Sequence, residues 1–97
     1  MNGEQLLQQA LMTFEHRRAH YGLARHHFRE VAKRWSQLLG HEITPQQVIA
    51  CMIELKLARL CENPTHIDSI IDIAGYAAVM AEVVPTDDLG GLVDERA

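Results

Sequence analysis

Apolar residues recur along the chain at intervals of three and four, the spacing that places side chains on one face of an α-helix. The first such segment runs from Glu4 to Tyr21, and Gly22 is expected to end it, because glycine readily takes the conformation of a helix C-cap. A second segment, from about Leu23 to Leu39, has a more regular apolar stripe that consists of Phe28, Val31, Ala32, Trp35, Leu38 and Leu39. Both segments are predicted to be amphipathic helices.

The third helix is predicted to begin at Thr44-Pro45 and to run to about Glu62. Thr44 is a favourable N-cap, Pro45 suits the first helical position, and Gln47 can complete a capping box. Apolar residues cover most of the circumference of this helix, so we expect it to be central to the fold.

A fourth helix is predicted over about residues 66–84, after a break at Asn63-Pro64. Thr65, followed by Asp68, resembles a capping signature at its start. This helix is apolar on nearly all sides, which is typical of a helix that is central or is shared with another subunit. In so short a chain the third and fourth helices cannot both be fully covered, so we expect a homodimer or a higher oligomer.

These patterns together predict a single all-α, four-helix bundle-like domain over residues 1–85, which is expected to form an oligomer. Residues 86–97 are acidic, contain glycine and show no periodicity, and they are predicted to form a mobile C-terminal tail.

The amino-acid composition argues against some classes of function. The 97 residues are 47% hydrophobic and 23% charged, as in an ordinary soluble domain. The net charge of -4 argues against nucleic-acid binding, which depends on clustered Lys and Arg. Because the chain shows neither a signal-peptide pattern at its start nor an apolar run long enough to span a bilayer, we expect a cytoplasmic protein without a membrane contact.

Cys51 and Cys61 fall on the same predicted helix. At about 1.5 Å of rise per residue they are about 15 Å apart along its axis, too far for a disulfide within the chain. They are expected to be reduced and mostly buried, and two cysteines alone do not give a zinc-finger spacing.

Charged residues interrupt the apolar sequence of the last two helices. Lys56 lies between two leucines and Asp72 between two isoleucines, so both are expected to be partly buried and to need partners. Asp68 and Asp72 share a helix face that continues to Gly75 and Tyr76. One interpretation is that these residues form a small polar site, which a ligand can approach closely because Gly75 has no side chain. The other is a structural Lys56–Asp72 ion pair, with Asp68 as a capping residue.

Other residues also have two interpretations. Trp35 is expected to pack in the core, although its ring could stack on a ligand. The basic cluster at residues 16–34 is either a solvated helical face or a surface for a partner. His16 and His20 lie one turn apart, a spacing that can hold a metal ion, but no third ligand is near them in sequence.

Several motifs resemble a family of small uncharacterised phage and prophage proteins over roughly residues 15–82. The matching positions are Tyr21-Gly22, Phe28, Trp35 and residues 55–60, 63–66 and 68–77. That family is in turn distantly similar to the all-α nucleotide pyrophosphohydrolases of the MazG and dimeric dUTPase type. The resemblance implies a helical oligomer whose acidic residues hold magnesium against the phosphates of a nucleotide.

Carried over to this chain, the resemblance implies that Asp68, Asp72 and Glu54 are ligands of Mg²⁺. Lys56 and Arg59 would face the phosphates. Tyr21 and Tyr76, which belong to the matching motifs, are the other ligand-binding candidates.

The chain also departs from both families. Where the pyrophosphohydrolases have a Glu-Glu-x-x-Glu motif, the corresponding helix offers Glu54, with Glu62 at its far end. His20, His26 and His27 replace acidic and amide residues that the phage family usually has there. Because magnesium prefers several oxygen ligands, these replacements weaken the case for a magnesium site.

Two functions follow from the sequence. The first is a phage-type protein that binds nucleotides or hydrolyses them in a MazG-like manner, as a magnesium-dependent nucleoside triphosphate pyrophosphohydrolase if it is active. The alternative is a non-enzymatic helical interaction protein that binds a host or phage protein. A helix-turn-helix DNA-binding protein is less favoured, because the net charge is acidic and no recognition helix stands out.

Overall fold

The computed structural model describes residues 1–84, which form four α-helices. These are α1 (Gly3–Tyr21), α2 (Ala24–Leu39), α3 (Pro45–Glu62) and α4 (Ile67–Val83). Residues 1–84 contain no β-strand, so the all-α prediction is confirmed for them, and the bounds of each helix agree with the predicted ones to about one residue. The predicted tail at 86–97 lies outside the described residues.

Capping boxes begin two of the helices. Thr44 accepts a hydrogen bond from the Gln47 backbone N–H at 3.1 Å, and the Gln47 side chain accepts one from the Thr44 N–H at 2.9 Å. The predicted start of α3 is therefore confirmed. Asn2 and Gln5 make the same reciprocal pair at the start of α1, with both distances at 2.9 Å. Each capping box provides hydrogen-bond acceptors for two backbone N–H groups that have no partner within the helix.

Glycines end the first two helices. The N–H of Gly22 donates to the carbonyl of Arg18 at 3.0 Å, and Gly22 has a φ of 79°. Gly40 has a φ of 77° and caps α2 in the left-handed conformation. Residues with a Cβ rarely take positive φ, so glycine suits both positions.

The start of α4 differs from the prediction, because its N-cap is His66 and not Thr65. His66 Nδ1 accepts a hydrogen bond from the Ser69 N–H at 3.3 Å and lies 2.8 Å from Ser69 Oγ. The Thr65 hydroxyl donates instead to Asn63 Oδ1 at 3.3 Å. Asp68 falls in the first turn of α4, where a carboxylate interacts favourably with the positive end of the helix dipole.

Helices α3 and α4 form the centre of the fold, as predicted for α3. They pack most extensively on each other, while α1 packs mainly on α4 and α2 packs mainly on α3. The small buried core has contributions from all four helices and consists of Ala10, Ala32, Val48, Ile49, Ser69 and Ile71. In residues 1–84, no helix combines the length and the apolarity needed to cross a bilayer.

Three expectations about burial were wrong or incomplete. Leu38 and Leu39 continue the apolar stripe of α2, yet both are exposed, Leu38 by 81%. They belong to the last turn of α2, which no other described helix covers. Cys51 and Cys61 are exposed, since they lie on the side of α3 that faces away from its packed residues. Trp35 was expected to pack in the core, but its side chain is only half-buried.

Ser36 ties the end of α2 to the connection that leads to α3. Its hydroxyl oxygen accepts a hydrogen bond from the Ile43 N–H at 2.8 Å and lies 2.7 Å from the Ala32 carbonyl, to which it donates. One side chain therefore satisfies the backbone on both sides of the turn, which fixes where α3 starts relative to α2.

Candidate functional site

The two charges predicted to need partners are paired with each other. Lys56 Nζ on α3 lies 3.0 Å from Asp72 Oδ2 on α4. The two side chains are 17% and 22% exposed, so the pair is largely withdrawn from solvent. Of the two interpretations drawn from the sequence, this geometry is that of an ion pair joining two helices.

The remaining acidic candidates do not join this pair in a cluster. Glu54 and Asp68 are both exposed. Within residues 1–84, no three His, Cys, Asp or Glu side chains lie close enough together to hold a metal ion. His16 and His20 do approach each other, with ring centroids 4.3 Å apart, but no third such side chain completes a site in that part of the chain. The magnesium ligands implied by the resemblance stay a prediction.

A cavity of about 400 Å³ opens where the four helices meet, and we refer to it as the large cavity. Its size falls in the range of about 300–1,000 Å³ that is usual for small-molecule sites. The residues that line it are Phe14, Arg17, Arg18, Tyr21, Gly22, Ala24, His27, Phe28, Val31, Trp35, Val48, Met52, Tyr76 and Val79. Tyr21 and Tyr76, which are far apart in sequence, are thus brought to one site.

Aromatic rings form a connected part of the cavity wall. The ring centroids of Tyr21 and His27 are 6.0 Å apart, and those of His27 and Phe28 are 5.1 Å apart in an edge-on arrangement. Phe28 in turn meets Tyr76 edge-on at 6.5 Å. Such rings offer flat apolar surfaces on which a planar ligand can stack.

The charge lining the large cavity is of one sign. Arg17 and Arg18, both on the last turns of α1, contribute guanidinium groups, and His27 contributes an imidazole. Among residues 1–84, no Asp or Glu lines this cavity. A guanidinium group binds carboxylates and phosphates through paired hydrogen bonds. The cavity therefore suits a ligand with a planar apolar part and an anionic group.

Lys56, Arg59 and the acidic candidates lie elsewhere. None of Lys56, Arg59, Glu54, Asp68 and Asp72 lines the large cavity, and Arg59 is exposed near the end of α3. Asp72 instead lines a second cavity of about 50 Å³ between α1 and α4, which also contains Gly75. A Cβ atom at Gly75 would meet no atom within 4 Å, so packing does not require glycine there. The second cavity is too small for a nucleotide.

Sequence reasoning did not name Arg17 and Arg18 as ligand-binding candidates, because it treated them as part of a basic cluster that was either a solvated face or a surface for a partner, and it favoured a core role for Trp35. The signal that could have found them is their position. Arg17 and Arg18 lie four and three residues before Tyr21, which belongs to a motif already singled out, so all three side chains fall close together on one face of α1.

Comparison with known proteins gives a family and two curated relatives. The model of a family described as a domain of unknown function, DUF6378, matches residues 5–84. The Gene 55 protein of Mycobacterium phage L5 is 41% identical over 70 residues, which cover 70% of this chain and 45% of that protein. The Gene 55 protein of Mycobacterium phage D29 is 36% identical over 67 residues, covering 69% of this chain and 44% of that protein.

The chain thus spans less than half the length of these curated relatives. No solved structure matches the chain.

Proposed function

Because the chain belongs to the DUF6378 family and is similar to phage proteins, we propose that it is a phage-type protein that binds a nucleotide in the large cavity. The observation that carries this proposal is the joint lining of the cavity by aromatic rings and by Arg17 and Arg18, without an acidic residue among those described. A nucleotide combines the two features that such a lining suits, a planar base and an anionic phosphate.

The residues that line the large cavity have two roles in this proposal: the aromatic rings stack on the base, and the arginines bind the phosphate. Tyr21, Tyr76 and Trp35 provide surfaces for the base, since stacking of a base on an aromatic ring contributes about 1–3 kcal/mol. Arg17 and Arg18 bind the phosphate through charge-assisted hydrogen bonds. Both arginines are exposed before a ligand arrives, so binding does not require the opening of a buried ion pair.

Binding without hydrolysis is the form of the function that we propose. The MazG-like mechanism implied by the resemblance needs several carboxylates to hold magnesium next to the phosphates. Here Asp72 is already paired with Lys56, and Glu54 and Asp68 are exposed outside the large cavity. Hydrolysis by Asp68, Asp72 and Glu54 with Mg²⁺ is the narrower proposal, and the same experiment tests it.

The experiment uses Trp35, the single tryptophan of the chain, as a built-in reporter, because it lines the large cavity. Ribo- and deoxyribonucleoside mono- and triphosphates are titrated with and without Mg²⁺ while Trp35 fluorescence and the melting temperature are recorded. Nucleotides are expected to change the fluorescence and to raise the melting temperature, with or without the metal ion. Release of pyrophosphate is measured in parallel and would establish hydrolysis.

Matched variants locate the site. Arg17→Gln with Arg18→Gln is expected to weaken binding by about tenfold or more, the loss of one or two hydrogen bonds to a charged group. Arg59→Gln removes the same charge from a residue outside the cavity and is expected to leave binding unchanged. A protein that responds to none of the nucleotides, or that loses binding equally in the Arg59 variant, would contradict the proposal.

The alternative function, a helical interaction protein, has its own supporting observation. Large apolar side chains that a monomer usually buries are exposed on all four helices, including Leu7 and Leu11 of α1, Leu38 of α2, Leu55 of α3 and Ile67 of α4. If the nucleotide experiment is negative, this alternative predicts that Leu7→Glu with Leu11→Glu leaves the fold intact but abolishes association with a phage or host protein.

A further inference from the structure

The charged residues are unevenly distributed along the described part of the chain. The basic cluster, residues 16–34, contains six Lys and Arg side chains and a single carboxylate, that of Glu30. The other residues among 1–84 contain two Lys or Arg side chains and eight carboxylates. Surface charges more than about 10 Å apart are largely screened from each other at about 0.1 M salt. The net charge of -4, which argued against nucleic-acid binding, therefore does not describe the field that a ligand meets at the basic cluster.

Burial divides the large cavity into a charged rim and an apolar interior. Arg17, Arg18 and His27 are exposed, whereas Trp35 and Tyr76 are half-buried. The next step rests on the proposed function: a nucleotide bound here has its base against the half-buried rings and its phosphate at the rim. A phosphate at the rim can be linked to a further nucleotide outside the cavity, so the ligand need not be a free mononucleotide.

One side of α2 continues from the large cavity onto open surface. We call this side the outer strip; its residues are His27, Val31, Arg34 and Leu38, which are spaced by four, three and four positions and therefore share it. His27 and Val31 line the large cavity. Arg34 and Leu38 lie beyond it, where the Arg34 side chain is 77% exposed and Leu38 is 81% exposed. The outer strip is about 16 Å long, at about 1.5 Å per residue.

We propose that the large cavity and the outer strip together bind single-stranded nucleic acid, in which the nucleotide in the cavity is one of a chain. Arg34 binds a phosphate of a neighbouring nucleotide, and Leu38 contacts a base. Sites for single strands combine cations that follow the backbone with side chains on which bases stack, and both features occur here. A bound strand would also cover Leu38, which the described helices leave exposed.

The combination of rings and cations favours a single strand over other anionic partners. The carboxylates of an acidic protein segment could bind Arg17, Arg18 and Arg34, but Asp and Glu side chains offer no flat surface to the half-buried rings. A duplex keeps its bases paired and stacked, so it can place one in the cavity only at the cost of flipping it out. An unpaired strand has both its phosphates and its bases free.

Glu30 places a carboxylate one turn from Arg34 on α2. Its oxygens lie 3.9 Å from Lys33 Nζ and 3.8 Å from Arg34 Nε. Exposed ion pairs of this kind are weak, so a phosphate can replace the carboxylate at Arg34. Because Glu30 also repels a phosphate, Glu30→Gln is expected to strengthen the binding of a strand a few-fold.

The dependence of affinity on chain length tests the strand directly. Thymidine 5′-monophosphate and 5′-phosphorylated oligothymidylates, from the dinucleotide to the octanucleotide, are titrated while Trp35 fluorescence is recorded. Affinity is expected to rise by about tenfold or more from the mononucleotide to the tetranucleotide, because Arg34 adds a charge-assisted contact. Equal affinities would overturn the strand and leave the proposed function standing. Binding of the tetranucleotide alone would support the strand and contradict the binding of free nucleotides, and binding of neither would overturn both.

Two competitors distinguish a single strand from other anions. A polyglutamate peptide with the charge of the tetranucleotide, and a hairpin duplex without an unpaired base, are each expected to displace the tetranucleotide only weakly. Displacement by either competitor at the concentration at which the tetranucleotide itself is effective would overturn the proposal, since charge or a duplex would then suffice.

Matched variants separate the outer strip from the rest of the basic cluster. Arg34 and Arg29 are both exposed on α2, but Arg29 is two positions from His27 and from Val31 and so lies on the other side of the helix. Arg34→Gln is expected to weaken tetranucleotide binding by about tenfold and to reduce the slope of log affinity against log salt by about 0.7, the value for one lost phosphate contact.

Arg29→Gln removes the same charge and is expected to change the tetranucleotide affinity by less than about threefold. Leu38→Gln is expected to weaken tetranucleotide binding but not mononucleotide binding, since Leu38 lies outside the large cavity. Equal losses from Arg34→Gln and Arg29→Gln would refute the outer strip, because any cation of the basic cluster would then serve.

Discussion

Lys56 Nζ lies 3.0 Å from Asp72 Oδ2 and links the two central helices, α3 and α4. A second set of charges, Glu30 with Lys33 and Arg34, lies on the surface of α2, where the atoms are 3.9 and 3.8 Å apart and the side chains are 57–77% exposed. The same kinds of charge thus occur in two environments, one largely withdrawn from solvent and one hydrated. Their contributions to stability should differ accordingly.

Replacing one member of the Lys56–Asp72 ion pair, which we call the inner pair, is expected to destabilise the fold. Asp72→Asn leaves the Lys56 ammonium group without its counterion at a largely buried position, and we expect the free energy of unfolding to fall by ~2 kcal/mol, somewhat less than for a fully buried pair. Urea denaturation measures this change. Glu30→Gln removes the same charge from α2 and is expected to change the free energy by less than ~0.5 kcal/mol.

The double variant Lys56→Met with Asp72→Leu completes the test. It removes both charges and keeps the apolar volume, so much of the lost stability should return. Lys56→Met and Asp72→Leu are also measured singly. If the loss in the double variant equals the sum of the two single losses, the residues do not interact, which would contradict the pairing.

The start of α4 provides a second prediction. His66→Ala removes the side chain that caps the Ser69 N–H, and it is expected to lower the free energy of unfolding by ~1 kcal/mol. His66→Asn is expected to keep most of the stability, because asparagine is a preferred N-cap. Thr65→Ala serves as the neighbouring control and is expected to have an effect below ~0.5 kcal/mol. A larger loss at Thr65 than at His66 would assign the cap to Thr65, as the sequence pattern did.

This contrast shows what local sequence determines. The capping box at Thr44 was predicted because its partners are three residues apart and compete with few other groups. At α4, Thr65 and His66 are adjacent and each has a side chain that can accept a hydrogen bond, so only the path of the chain decides between them. The inner ion pair was one of two predicted possibilities for Lys56 and Asp72, since charges on apolar helices need partners.

The large cavity could not be predicted in the same way. It forms from residues on four helices, and its existence depends on how far apart those helices lie. Trp35 and Tyr76 fit an apolar stripe equally well whether they fill a core or line a cavity. The sequence did identify Tyr21 and Tyr76 as ligand-binding candidates, but it joined them to Lys56 and Arg59, which lie elsewhere.

Ser36 gives a third prediction. Its hydroxyl oxygen accepts the hydrogen bond of the Ile43 N–H at 2.8 Å, and Ser36→Ala leaves that partly buried donor without this partner. We expect the free energy of unfolding to fall by ~1 kcal/mol, measured by thermal or urea denaturation. Thr13, whose hydroxyl donates only to the Gln9 carbonyl on an exposed turn of α1, is the matched site. Thr13→Ala should have little effect, and an equal loss there would show that the Ile43 contact does not matter.

Filling the large cavity with a larger side chain is expected to raise the stability of the fold and to abolish nucleotide binding. Val31 lies on its wall and is half-buried, so Val31→Phe places a larger apolar side chain in open space, with less overpacking than the same change in a close-packed core. The variant is expected to gain ~1 kcal/mol of stability, which corresponds to a rise of about 4–8 °C in the melting temperature of a domain of this size. It should also block the response of Trp35 fluorescence to nucleotides, because the new phenyl ring would occupy the volume proposed for the base.

The control is Val83→Phe, which makes the same change at a half-buried residue of α4 that does not line the large cavity. This variant should leave nucleotide binding intact. If Val31→Phe still binds nucleotides as well as the unmodified chain, the ligand does not lie in the large cavity.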